Sequence, residues 1–331
     1  MRTITAALVA AATLTVSACG TVEDTARPAA AATGGSAAAS TSPSATASPG
    51  TDAYTTTSDV VPHAAIGKDL SAIRTLLAAA KDGGTVDWSA VEKVFREGGA
   101  SKKGDGSTRT LAALSPDRAA VPLVESALAG TGGGSDAARA QQVDKGVIVI
   151  LAEKVIGELE SATEKVGKGE TDPATGAPHN VDEAYAFFVA DGQGPAATAD
   201  KREKKPELAS KVRGPVVEAL SDAQTAAAAG DRAALTAATE QAQAALDYLF
   251  YLAVHRYLDH QGDEVAQAEG GAFYLGIAPR VKAASTAADA AILATLGGSG
   301  DAQTGRVALD SPEVFTALGL AADQKATTTP S

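Results

Sequence analysis

The chain has 331 residues, 28 basic and 40 acidic side chains and a single cysteine. That length supports one large domain or two smaller ones. A net charge of −12 argues against nucleic acid and against direct adhesion to anionic lipid, and one cysteine leaves no internal disulfide.

Met1-Arg2 is a short positive start, and Ile4–Val16 is an apolar run too short to span a bilayer. It ends in Val16-Ser17-Ala18-Cys19, the pattern of a bacterial lipoprotein signal, so residues 1–18 are expected to be removed and Cys19 lipidated. The mature chain then keeps 27 basic and 40 acidic residues. Residues 19–58 are rich in Ala, Thr, Ser and Pro. Such a segment buries too little apolar surface to offset its ordering entropy, and it reads as a disordered tether. The domain proper is expected over 59–331, held at the extracytoplasmic face of the cell membrane by the lipid.

Within it the pattern is helical. Ile66, Leu70, Ile73, Leu76 and Leu77 repeat at helical spacing over 60–80. Asp87 caps a short helix running through Phe95, and Gly98-Gly99 stops it. Residues 100–110 form a polar loop. Pro116 and Asp117 open a helix that ends near Gly130, and the linker 132–135 follows. A long helix is expected over 136–166, an aromatic one over 181–190, irregular charged chain over 191–206, then helices over 206–229 and 231–260. A last long helix over 263–296 is interrupted by Pro279, and Ser311-Pro312-Glu313 starts a short one. The fold class is all-α: antiparallel helical bundles, with a division into two lobes expected near 132–135.

Five of six tyrosines and three of four histidines fall between His179 and Tyr274. Phenol, imidazole and carboxylate donors suit a hard transition metal such as ferric iron. Tyr248, Tyr251, His255 and Asp259 share one helix face, as ligands or as hydrogen-bonded core. Asp182, Glu183 and Tyr185 open the aromatic helix. Asp182 is either its cap or an inward ligand, since a buried carboxylate needs a compensating partner. Glu269 sits among small residues. Glu158 lies on the inward face of the long helix, whereas Glu153, Glu160 and Glu164 read as solvated. Arg202 and Arg280 are either clamps for an anion or ordinary salt bridges. The chain has neither the Glu-x-x-His pairs of dinuclear oxidases nor His-Glu-x-x-His, so no enzyme is expected.

Several segments occur together in order: Asp144–Val147, Glu158–Glu160, Val181–Phe188, Ala199–Arg202, Glu269–Tyr274 and Pro279–Val281. This series resembles the low-iron-inducible periplasmic proteins, the algal iron-assimilation family related to phytotransferrins, over roughly residues 60–320. The resemblance implies a two-lobed helical protein outside the cytoplasm that binds ferric iron with a carbonate anion and aids its uptake, handing it to a membrane transporter. Against algal members the chain lacks cysteine richness and carries a lipid anchor. The competing expectation is a metal-free helical lipoprotein that binds other proteins.

Overall fold

The computed structural model describes residues 54–326, apart from 116–117 and 209–210. Cys19, the signal segment and most of the expected tether lie outside the described residues. Among those described there is no strand, only one isolated bridge between Lys102 and Thr108, and the fold is all-α.

The helices follow their capping chemistry. Helices α1 (Val61–Ala64) and α2 (Ile66–Leu77) lead to α3 (Trp88–Glu97), where the Asp87 side chain accepts from the Ala90 N–H and Gly98 ends the turn. Helix α4 (Ala120–Ala129) closes on Gly130 in the left-handed conformation. The next, α5 (Asp136–Gly167), starts on the Ser135 hydroxyl and runs 32 residues, about 48 Å at the helical rise. Val147, Ile148, Val149 and Ile150 are all fully buried, so α5 is enclosed on every side. It packs against α4 and against the aromatic helix α6 (Ala177–Val189), and the apolar core continues across the 132–135 linker.

Helix α6 begins four residues earlier than its apolar pattern suggests. Gly176 is its N-cap and Pro178 occupies the first turn. A Cβ at Gly176 would lie 2.5 Å from the Glu170 carbonyl oxygen. The cap is therefore set by backbone packing, and neither Asn180 nor Asp182 caps the helix. Both lie inside it.

Helix α7 (Pro195–Glu203) occupies chain expected to be irregular; Pro195 pre-sets its first turn. Helix α8 (Arg213–Ala229) ends at Gly230, and Asp231 caps α9 (Arg232–Tyr257). The expected helix over 263–296 is three: α10 (Glu264–Tyr274), α11 (Ala278–Ala284) with Pro279 in its first turn, and α12 (Thr286–Leu296) on the Ser285 cap. Two short helices follow, α13 (Ala302–Leu309) and α14 (Pro312–Ala317). No described helix is long and apolar enough to cross a membrane.

Glycine sets two close approaches. At Gly270 a Cβ would meet the Tyr257 Cβ at 2.6 Å, so α10 lies hard against α9. At Gly67 a Cβ would sit 1.7 Å from the carbonyl oxygen of Ala190, where α6 ends with a left-handed residue. Backbone cannot swing aside as a side chain can, so Gly67→Ala is expected to cost about 3 kcal/mol. Gly271→Ala, which meets nothing within 4 Å, is expected to be neutral or stabilising by up to about 1 kcal/mol. Urea unfolding of the two variants checks both.

Candidate metal centre

The first turns of α6 place His179 and Glu183 one above the other at i and i+4. The Nε2 of His179 lies 3.0 Å from Oε1 of Glu183, and the Nε2 of His63, from α1, lies 2.8 Å from the same oxygen. The two imidazoles meet edge to face, 5.9 Å between centroids, and Phe187 closes on the other side of His63. Glu158 of α5 completes the group. It hydrogen-bonds Glu183, receives Lys154 Nζ at 2.6 Å and receives Asn180 Nδ2 at 2.6 Å.

Electrostatics divides the two carboxyls. Burial and the Glu183 charge push Glu158 up, against the pull of Lys154. Burial pushes Glu183 up too, but the hydrogen bond and charge of His63, the hydrogen bond with Glu158 and the charge of His179 outweigh it and bring it down to about 2. Two buried carboxyls in contact cannot both ionise cheaply, so one holds the proton that the other accepts. The charges of Glu183 and Glu158 also act on the guanidinium of Arg109, whose affinity for its proton is lowered by burial.

Beside this cluster lies a clamp. Asp182 is fully buried in the middle of the first turns of α6. Its Oδ1 accepts from Tyr54 Oη at 2.8 Å and Gln224 Nε2 at 2.9 Å. Its Oδ2 accepts from the N–H groups of Thr57 and Ser58, both at 2.8 Å, and from their hydroxyls at 3.0 and 2.7 Å. Tyr54 also stacks on Tyr185 at 4.3 Å. Residues 54–58, which composition assigns to the tether, are therefore strapped to α6.

The other residues singled out from sequence fall in separate places. Tyr248 and Tyr251 stack on one face of α9, and His255 lies 5.9 Å from the Tyr251 ring. The Tyr251 hydroxyl donates to Asp310 and accepts from the Ala326 N–H, and burial pushes both phenols up. Asp259, on the same expected stripe, is exposed and pairs with Arg306. Glu269 sits 3.4 Å from Lys145 and takes the Tyr257 hydroxyl. Arg280, part-exposed, is bound to the buried Asp247 and to the Gly276 carbonyl, and so serves as a salt bridge. Arg202 is buried, with its Nε unpartnered. Glu153, expected in solvent, is half-buried with Oε2 sealed and unpartnered.

Sequence reasoning passed over His63 and His179. The signal for His179 was present in its i+4 spacing to Glu183. His63 is the one histidine outside the donor-rich window, and only the tertiary fold brings it in.

A family model described as low iron-inducible periplasmic protein matches residues 28–249. The chain belongs to that family. No curated relative and no solved structure matches it. Membership gives this low iron-inducible periplasmic protein an extracytoplasmic, iron-related role. The match contains His63, Glu158, His179 and Glu183. It ends before Glu269–Tyr274 and Pro279–Val281, so those two segments lie outside the matched span.

Among the described residues no group of three or more His, Cys, Asp or Glu side chains is placed to hold a metal ion. The donors of the cluster are closed on one another by hydrogen bonds. The separations of 2.8 and 3.0 Å between the imidazole nitrogens and Glu183 are hydrogen-bond distances, so a metal would have to displace the protons that hold these donors together.

Two variants test the electrostatics. Asp182→Asn places an amide among six donors and is expected to cost about 3 kcal/mol in urea unfolding. Burial, opposed by Arg118 and Arg280, pushes Glu153 up to about 7 from an ordinary 4.5. A raised carboxyl makes the folded state hold its proton longer, so stability is lost as pH rises from about 4.5 through 7. Glu153→Gln is therefore expected to stabilise by about 2 kcal/mol at pH 8 and hardly at all at pH 4. Unfolding midpoints at the two pH values check the sign.

Proposed function

We propose that this protein is a non-catalytic, lipid-anchored iron-binding protein that captures ferric iron outside the cytoplasm for uptake. The observation that carries the reading is the convergence of His63 and His179 on one oxygen of Glu183, with Glu158 behind it, inside the family-matched span. Imidazole and carboxylate are iron donors, and two carboxylates favour the harder ferric ion. Iron would take the place of the protons now shared among these groups, so affinity should fall as pH falls. Lys154 is committed to Glu158 and Arg280 to Asp247, so Arg109, on which the charges of both carboxylates act, is the cation that suits an accompanying anion such as carbonate. The hydroxyl of Tyr251 is committed to Asp310 and Ala326, and ionising it in that site is opposed by burial. That supports the histidine–carboxylate cluster over the tyrosine stripe. Anchoring through Cys19 and transfer to a membrane transporter belong to the same proposal.

The test is ferric titration of the purified protein, supplied as a weak chelate, with and without bicarbonate. The expected result is saturable binding without a visible phenolate-to-iron band. His179→Ala and Glu183→Gln should weaken it about a hundredfold or more, and Tyr248→Phe and Tyr251→Phe should leave it unchanged. A band lost with either tyrosine would move the site to α9. No binding at all would leave a metal-free interaction module.

A further inference from the structure

Ser58 touches both the clamp and the cluster. Its hydroxyl is 2.7 Å from Oδ2 of Asp182 and 2.8 Å from Nδ1 of His179. A serine hydroxyl has one proton to give. Oδ2 of Asp182 already accepts two backbone N–H groups and the Thr57 hydroxyl, and an ionised carboxylate cannot donate. The Ser58 proton therefore points at Asp182, and the Ser58 oxygen presents only lone pairs to His179. Nδ1 of His179 must then carry the hydrogen.

That assignment fixes the other nitrogen. With Nδ1 protonated, the neutral ring has its lone pair on Nε2, and Nε2 is the atom that faces Glu183. A metal-binding imidazole needs this state: the remote N–H held by an acceptor, the near nitrogen free to ligate. The acceptor for the remote N–H belongs to the strap, not to α6.

On the reading of the cluster as an iron site, we infer that Ser58 is a positioning residue. Held by Asp182, it sets the tautomer and orientation of His179, so one residue of the strap, Ser58, completes the site. Tyr54 provides the contrast. It binds the opposite oxygen of Asp182 and stacks on Tyr185. It therefore shares the strap's structural role without touching the histidine.

The experiment uses the full chain, with Ser58→Ala, Ser58→Thr, Tyr54→Phe and, as a reference, His179→Ala. Ring-nitrogen chemical shifts of His179 are read in the metal-free protein, ferric affinity by titration, and thermal unfolding in parallel. Ser58→Ala should move the Nδ1 signal of His179 and weaken ferric binding about ten- to a hundredfold. Ser58→Thr, which keeps a hydroxyl, should restore both. Tyr54→Phe should lower the unfolding temperature and leave affinity and the ring signals as in the wild type. Equal loss of affinity in Ser58→Ala and Tyr54→Phe would overturn the inference, because the strap would then act only by packing. Wild-type affinity in Ser58→Ala alongside its loss in His179→Ala would overturn the positioning role and leave the iron site intact. Wild-type affinity in His179→Ala itself would overturn the iron site on which the inference stands.

Discussion

A buried carboxylate that pairs with no cation among the described residues governs this structure. Asp182 lies inside α6 at zero exposure, and its charge is balanced by hydrogen bonds alone, from Tyr54, Thr57, Ser58 and Gln224. Charge-assisted hydrogen bonds of this kind are roughly twice as strong as neutral ones. Removing donors would leave a costly unpaired charge in a low-dielectric interior. The chain that leaves the expected tether is thus obliged to fold onto α6. Once there, it brings α1 and His63 over the first turns of the same helix.

The cluster beside the clamp follows from where α6 starts. Gly176 and Pro178 wind the helix early, which puts His179 on the same face as Glu183. Asp182, one residue before Glu183, then points to the strap while Glu183 points to the histidines. Adjacent acids on one helix are about 100° apart, so one helix serves two jobs with neighbouring carboxylates. Glu158 reaches the same point from α5, and Lys154, one turn before it, limits the charge that gathers there. The site therefore depends on the register of two helices and on a strap from outside both.

Helix-forming segments were legible in the sequence because their signals are local: Asp87 caps the helix expected of it, and Ser135 and Asp231 cap helices whose starts were expected at 136 and 231. Glycine and proline marked most ends. What failed was also local in cause. A charged stretch concealed α7, and one apolar period across 263–296 concealed the breaks at 275–277 and Ser285. The site was half legible. Glu158 was recognisable as an inward acid from its helical phase and Glu183 stood among the candidate ligands, but the tyrosines drew attention to α9, where the Tyr251 hydroxyl serves as hydrogen-bonded core. His63 carries no sequence signal, being brought in by contacts more than a hundred residues distant in sequence. Tyr54–Ser58 look like tether by composition and are ordered by contacts distant in sequence: the Asp182 carboxylate, the Tyr185 ring and the His179 imidazole.

Iron capture at the histidine–carboxylate cluster would put the ion between α1 and α6. The most direct measurement is diffraction at the iron absorption edge from crystals soaked in a ferric chelate. One anomalous peak is expected within about 2.0–2.2 Å of His63 Nε2, His179 Nε2 and an oxygen of Glu183. A peak beside Tyr248, Tyr251 and His255, or none from crystals of protein that binds iron in solution, would contradict it.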